Sequence, residues 1–396
     1  MKILFITPYI PSRIRVRPFQ IIRELSKRHT VRAVALRDAD KSRAPGMAEI
    51  MESVCEMDIV PHSNLRGIIH SLAALPTRSP MCTAFCRSGR MMRTIDEITA
   101  GDNFDVVHVE HLRAAHFAPS IRRAPTVLDS VDCLTHLFSQ VARSKGRLPG
   151  RMIAAEEAWK LSRYEPRMLK TFDRVVVTSA LDRDKLVILD TDLSIDVVPN
   201  GVDAEYFGPQ GRRRNPARLV FSGKMSYAPN AEAALWFAQT VLPELRHRFP
   251  ELEFKVVGSE PPPEVLRLSD IPGVSVTGYV EDIRSHLDTC AISLAPIRTG
   301  VGMQNKVLEA MAMALPVVAT PTAARAFGAD CPGIARADSV EDFVEQISRM
   351  IGSPAEAAEI GLRGRQEVIS RFSWQSSVNK LEAVYEDALR TDRSRH

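Results

Sequence analysis

The segment TGVGMQNKVLEAMAMALPVVAT, Thr299 to Thr320, joins a glycine-broken loop to an amphipathic helix with one acid, Glu309, and then to a near-continuous apolar strand. Backbone N–H groups at the start of such a helix are unpaired and carry partial positive charge, which suits a phosphate. Glu309, about a turn further on, is spaced to reach ribose hydroxyls once the phosphates rest on the helix start. The pattern predicts a nucleotide-diphosphate site. A buried helix behind an ordinary glycine loop is the competing reading, and the loop alone leaves both open. Lys224 directly follows Gly223 at the end of an apolar run. It is either a point charge for a diphosphate or a solvated lysine. Asn230, in SYAPNAEAA, reads as the N-cap of the next helix. The six cysteines, Cys55, Cys82, Cys86, Cys133, Cys290 and Cys331, show no framework. Cys82 and Cys86 are four apart but have no second ligand pair nearby, so no metal site is expected. All six read as reduced thiols of a cytoplasmic protein.

The elements that must position these residues are α/β. At 396 residues the chain suits two domains. The first half runs through the strands KILFI, TVRAVAL, VVHVE, TVLDS and DRVVVTS, with helix FQIIRELSKR after the first. The second half repeats that grammar in RLVFSG, EFKVVG, VSVTGYV, AISLAPI and PVVAT. Its helices are AEAALWFAQTVLPELRHR, KVLEAMAMA and VEDFVEQISRMI. Short apolar runs alternating with helices predict two parallel, doubly wound sheets buried on both faces. VVPNGVDAEYF and the basic GPQGRRRNPAR mark the boundary, giving domains 1–198 and 199–372. A last helix, 373–396, comes after the second sheet is complete and is expected to pack back on the first domain. Ligands of such sheets lie beyond the carboxyl ends of the strands. Three second-half loops fall there: Gly223-Lys224, Gly278-Tyr279-Val280 and 299–306. Two such domains facing one another predict a cleft.

Charge and hydropathy bound the partners. Residues 1–195 hold 30 Lys and Arg against 22 Asp and Glu, and the remainder 22 against 26. A basic first half fits an anionic partner or a solvated surface. No apolar run approaches the roughly 20 residues that span a bilayer. The opening MKILFITPYIPSR reads as a strand and loop rather than a signal peptide. The stretch 63–97 is basic and apolar with almost no acids. It fits either an amphipathic surface on an anionic membrane or two ordinary helices joined by a proline loop.

The order of VVPNGVDAEYF, LVFSGKM, VTGYVEDI and GMQNKVLEAMAMALPVVAT resembles family 4 glycosyltransferases of the GT-B fold. PFQIIRELSKRHTV, FDVVHVEHL, YEPRMLKTFDRVVVTS and RFSWQSSVNKLEAVY extend the resemblance over nearly the whole chain. More narrowly, the chain is similar to bacterial sugar transferases of exopolysaccharide gene clusters. The resemblance implies a nucleotide-sugar donor, most commonly UDP-linked, on the second domain. It implies a glycan, lipid-linked or small-molecule acceptor on the first. Transfer would retain anomeric configuration and need no metal or other cofactor. No nucleic-acid partner is implied. By position, Glu309 would bind ribose, and backbone at Tyr279 and Val280 would meet the base. Lys224 would neutralise the diphosphate, joined by backbone N–H groups of Met303, Gln304 and Asn305 and the side chain of Lys306; backbone near Gly302 could hold sugar hydroxyls, and Gly223 and Leu308 complete the donor-binding set.

Three departures accompany the resemblance. The family's upstream glutamate, eight residues before Glu309, is Val301 here. The usual second phosphate cation has Asn230 near its place. The first loop, usually a glycine pair, reads TPYIPSRIRVRPF. Ser12 and the arginines Arg13, Arg15 and Arg17 of that loop fit either an anionic acceptor or a solvated surface. On the acceptor side the match gives His111, or Glu110 if the register shifts by one, with Asp132 as a possible partner; His108 reads as core. Lys224, His111 and Glu309 are the expected catalytic set. A nucleotide-sugar epimerase and a non-catalytic nucleotide-sugar-binding partner are the alternatives, the latter motivated by Val301.

Overall fold

The computed structural model describes residues 1–13, 15–38, 50, 52, 54, 56–118, 121, 123–143 and 148–393; Cys55 lies outside them. The chain forms two compact units, Met1–Pro199 with Trp374–His396, and Asn200–Ser373.

The first unit is built on seven parallel strands: β1 (Lys2–Thr7), β2 (Thr30–Asp38), β3 (Glu56–His62), β4 (Val106–Glu110), β5 (Thr126–Val131), β6 (Arg174–Val177) and β7 (Ile195–Val197). Their order is β3-β2-β1-β4-β5-β6-β7. Alternation along β1 sends Leu4 and Ile6 into one core and Ile3 and Phe5 into the other, so both faces of the sheet are covered. Helix Trp374–Arg393 closes the second of these cores with Trp374, Val378, Leu381, Tyr385 and Ala388, a helical spacing that makes one apolar stripe. Polar bonds fix its register. Tyr385 Oη lies 2.8 Å from His108 Nδ1, and Glu382 lies 2.8 Å from His29. His108 is fully buried and stacked on Phe5, and so belongs to the core.

The second unit has six parallel strands: β8 (Asn215–Ser222), β9 (Glu253–Val257), β10 (Val274–Val276), β11 (Cys290–Ala295), β12 (Val317–Ala319) and β13 (Ile334–Arg336). Their order is β10-β9-β8-β11-β12-β13. The expected single helix AEAALWFAQTVLPELRHR is instead three pieces: α-helix Ala228–Trp236, a π turn at Phe237–Val241, and α-helix Leu242–Arg248. Pro243 has no N–H to give the preceding turn and its ring crowds that turn, so the ladder widens where the proline enters. No helix among the described residues is long and apolar enough to cross a membrane.

In each sheet the strand order reverses once, between β1 and β4 and between β8 and β11. Loops leaving neighbouring strands on either side of such a reversal diverge and open a crevice beyond the strand ends. The chemistry of each unit collects there.

Candidate functional site

In the second unit the crevice lies between the loop after β8 and the loop after β11. Gly223 (φ 149°) ends β8. A Cβ on it would stand 2.8 Å from the Asn230 amide nitrogen and 3.3 Å from Lys306 Cε. Gly258 (φ 155°) ends β9, and a Cβ there would fall 1.7 Å from the Gly223 carbonyl oxygen. Only glycines allow these two backbones to touch.

Asn230 is not an N-cap. Tyr227 holds that position without a side-chain bond, and Asn230 sits buried within the first turn. Pro229, at the helix start, has shifted the helix entry back toward Tyr227. The Asn230 amide is a bridge: its nitrogen donates to the Lys224 carbonyl at 2.8 Å and its oxygen accepts from Lys306 Nζ at 2.5 Å. Lys306 is only 9% exposed and lies over the Phe221 ring, 4.9 Å from the centroid. Burial pushes its ammonium down to about 7, and Glu309 works against that shift. Lys224 points instead toward solvent, where Glu260 meets it at 3.0 Å. Such an exposed pair contributes little, about 0–1 kcal/mol, and leaves the lysine available to a stronger anion.

Helix Asn305–Ala312 carries Lys306 and Glu309. Its C-terminal end is satisfied by arginines: Arg214 donates to the carbonyls of Met313 and Ala314, and Arg365 donates to that of Ala312. Gln304 at its N-cap makes no side-chain cap. The positive end of the helix is therefore presented to the crevice. Glu309 is half-buried and has no hydrogen bond or ion pair among the described residues. Burial raises its carboxyl to about 7, with Lys306 opposing. A carboxylate so placed lacks the donors it needs, and vicinal hydroxyls would supply them.

The other expected donor-side residues divide. Gly302 (φ 69°) turns the loop; Gln304 and Asn305 are half-buried at the helix start, where the Asn305 oxygen accepts from Asn200 at 2.9 Å. Met303 and Leu308 send their side chains into the core, so they offer a ligand only backbone. Tyr279 is exposed on the loop after β10, and Val280 packs against the core. Val301 is buried and apolar. The acid beside this loop is Glu232, an exposed residue of helix Ala228–Trp236 that is hydrogen-bonded to Thr299 and raised by partial desolvation.

In the first unit the crevice lies between the ends of β1 and β4. Thr7 and Tyr9 donate to the two oxygens of Glu110, at 2.8 and 3.0 Å. Glu110 is 1% exposed, and burial followed by repulsion from Asp129 raises its carboxyl to about 8. It acts as a clamp between β4 and the first loop rather than as an exposed acceptor residue. Arg17 is likewise not a loop cation. It lies buried in helix Val16–Leu25 with Nε 2.7 Å from Asp129. Ser12 is buried and accepts from the Arg15 N–H at 3.1 Å; Arg13 and Arg15 are exposed, the latter over the Tyr9 ring.

His111 follows β4 at φ 71° and ψ 138°. That region is close to glycine-only and stores about 1–3 kcal/mol of strain. Its amide donates to the Asp129 carbonyl at 2.6 Å. Burial, then Arg113 and Arg15, keep the ring neutral. Nδ1 accepts from the Arg113 N–H at 3.2 Å, which puts the proton on Nε2. The ring can donate a hydrogen bond from Nε2 but has no spare lone pair for a proton. Asp132 does not pair with it. The strained Val131 (φ 67°) turns Asp132 toward Thr178, whose hydroxyl donates at 3.2 Å; burial and Asp182 raise its carboxyl to about 7.

Two family models match this chain. One described as Glycosyltransferase Family 4 covers residues 16–206, and one described as Glycosyl transferases group 1 covers 216–353. The chain belongs to these glycosyltransferases. It is 29% identical over 203 residues to an MMP alpha-(1->4)-mannosyltransferase of Mycolicibacterium hassiacum, an alignment spanning 49% of each chain. It is thus matched to about half the length of that relative. It is 23% identical to D-inositol 3-phosphate glycosyltransferase 1 of Catenulispora acidiphila, over 78% of this chain and 79% of that one. Among solved structures, sucrose-phosphate synthase of Thermosynechococcus elongatus superposes with a TM-score of 0.73 at 14% identity, covering 99% and 100% of the two chains. Anabaena HepE, in complex with UDP and glucose, gives 0.67 at 15%, covering 98% and 100%. The fold is therefore GT-B, with two Rossmann-like parallel sheets.

Proposed function

We propose that this glycosyltransferase moves a hexose-type sugar from a UDP-sugar to a glycan or lipid-linked acceptor in polysaccharide assembly, with retained configuration and without a metal. The observation that carries the reading is the pairing at the second crevice. A buried lysine is held by Asn230 beside an uncapped helix start, and a half-buried Glu309 makes no side-chain hydrogen bond or ion pair among the described residues. Phosphates need the first and ribose hydroxyls the second. UDP is favoured over GDP by the complex of the structural neighbour HepE with UDP and glucose.

As the sugar–phosphate bond breaks, charge grows on the diphosphate oxygens. Lys224, Lys306 and the N–H groups of Met303 to Asn305 would meet that charge and stabilise it most in the transition state. His111, holding its proton on Nε2, would donate to a sugar or acceptor hydroxyl and not act as base. The departing phosphate would then take the acceptor proton, as front-face retention requires.

Val301 favours a second reading, binding without turnover, because no carboxylate stands at that loop position to hold the sugar. Incubation with labelled UDP-sugars and extracted lipids separates the two. Labelled glycolipid or glycan supports transfer; tight UDP-sugar binding with no product supports the second reading.

A further inference from the structure

Helix Asn64–Ala74 is attached to the first unit by one face only. Gly67 and Ala74 are its buried residues. A Cβ on Gly67 would stand 2.7 Å from the Phe85 ring, so the glycine lets the helix lie flat on that ring. Ser71 donates to the Met81 carbonyl at 3.1 Å. Lys160, itself buried, donates to the carbonyls of Ala74 and Leu75 at 3.0 and 2.9 Å and so caps the helix end. The opposite face carries Leu65, Ile68, Ile69 and Leu72, exposed by 67%, 49%, 53% and 58%. Spacings of three, four and seven residues place all four on one side of the helix. Such a stripe ordinarily faces a core. Here it faces out, and a contiguous exposed apolar patch of this kind marks an interaction surface.

The stripe borders a basic basin. Among the described residues, a cavity of about 780 Å³ is lined by His62, Arg66, His70, Arg87, Arg90 and Arg93 and by no carboxylate. Arg66 and His70 lie within the stripe helix itself, so the basin borders that helix. Arg87 also lines a second cavity of about 290 Å³, with Arg78, Arg163, Arg167 and the half-exposed Trp159, again without a carboxylate among the described residues. The described acids nearest in sequence, Asp58, Asp96, Glu97, Glu156, Glu157 and Glu165, line neither cavity.

We propose that this face docks on a bilayer containing anionic phospholipid, with the aliphatic stripe of helix Asn64–Ala74 in the acyl boundary and a phosphate headgroup in the arginine basin. Charge complementarity selects this occupant. Cavities lined by arginines, with no acid among their described lining residues, repel a second copy of themselves, and they are attracted to a phosphate surface by about 1 kcal/mol per arginine. Apolar insertion and headgroup pairing act together, as in interfacial amphipathic helices. The inference stands apart from sugar transfer, since a chain without turnover would still bind vesicles.

Co-sedimentation of the full chain with vesicles tests it. Vesicles of phosphatidylcholine alone are compared with vesicles containing one third phosphatidylglycerol, at low and high salt. Binding is expected to the anionic vesicles only and to weaken with salt. Arg90→Ser with Arg93→Ser should weaken it by about 25-fold, from roughly a factor of five per arginine. Leu65→Ser, Ile69→Ser and Leu72→Ser together should weaken it at least as much, while the urea midpoint stays unchanged because these side chains are already exposed. Equal binding to neutral vesicles, or binding indifferent to either set of substitutions, overturns the proposal. So does stabilisation by inorganic pyrophosphate through Arg90 and Arg93 without vesicle binding, which would assign the basin to a free phosphate compound. A dimer dissolved by the triple substitution, with no vesicle binding, would assign the stripe to a second copy and equally overturn it.

Discussion

Binding of UDP above pH 7 should draw a proton onto Lys306. The ammonium is held down at about 7 by burial, so at pH 8 only about one lysine in ten is charged in the free protein. A diphosphate placed against Nζ favours the charged form and returns the group toward the ordinary lysine value near 10. Binding at pH 8 then takes up roughly 0.9 proton at Lys306. Glu309, raised to about 7, is by then some nine-tenths ionised, so its completion returns only about 0.1. The terminal phosphate of UDP, with a second pKa near 6 as in a phosphomonoester, adds almost nothing. The net is about 0.8 proton per UDP. The sign follows from linkage. The bound state holds more protons than the free state, so affinity falls as pH rises above 7, by close to tenfold per unit. Calorimetry at pH 8 in two buffers of different ionisation enthalpy reads the proton count directly. Lys306→Gln should bring the uptake to about zero and remove the pH slope above 7. Zero uptake by the unsubstituted chain, or the same uptake in Lys306→Gln, would refute the reasoning.

Three further outcomes follow from the same geometry. Glu309→Ala should weaken UDP by about a hundredfold, from two hydrogen bonds to a charged group at about 1.5 kcal/mol each, and unchanged affinity in calorimetry would sink the ribose assignment. His111→Gly should leave folding stability unchanged or raise it, because relief of about 1–3 kcal/mol of strain offsets glycine's entropy cost, while transfer falls at least tenfold; a loss of about 2 kcal/mol in urea unfolding would show that the strain is not there. Gly258→Ala should cost about 3 kcal/mol or more, because its Cβ would fall 1.7 Å from the Gly223 carbonyl, and a near-native urea midpoint would contradict the contact.

The parts of the fold that were legible in the sequence are those where burial on both faces writes itself as a continuous apolar run, as in KILFI, VVHVE and RLVFSG. The strands that escaped are of another kind. β3 reads EMDIVPH and pairs on one side only, at the sheet edge; β7 and β13 are three residues each and also lie at edges. Edge strands need less apolar surface, so their sequences carry less signal. For 63–97 one of the two open readings is a pair of helices joined by a proline loop, and three helices form, Asn64–Ala74, Met81–Ala84 and Gly89–Gly101. The short middle helix is held from outside, by Glu157 accepting from the Met81 and Cys82 N–H groups at 2.8 Å. No local pattern announces a helix whose cap comes from seventy residues away.

The site was legible by residue type but not by address. Asn230, near the expected place of a second cation, has no charge to offer, and along the sequence this looks like a weakened phosphate site. In space the charge is present. Lys306 comes from a different helix, and the Asn230 amide holds its ammonium beside Gly223. An electrostatic field depends on where charge sits and how dry its surroundings are, not on which strand or helix delivers it. Moving the cation has a physical consequence, since a lysine delivered through the core is buried and loses its charge as pH rises through about 7 in the empty site, whereas one on an exposed helix face would keep it. The relocation therefore makes nucleotide binding pH-linked, a property that neither Asn230 nor Lys306 reveals when read singly. The same reasoning applies to Val301. The carboxylate absent from that position does not leave the loop without an acid, because Glu232 reaches Thr299 from the helix that also carries Asn230.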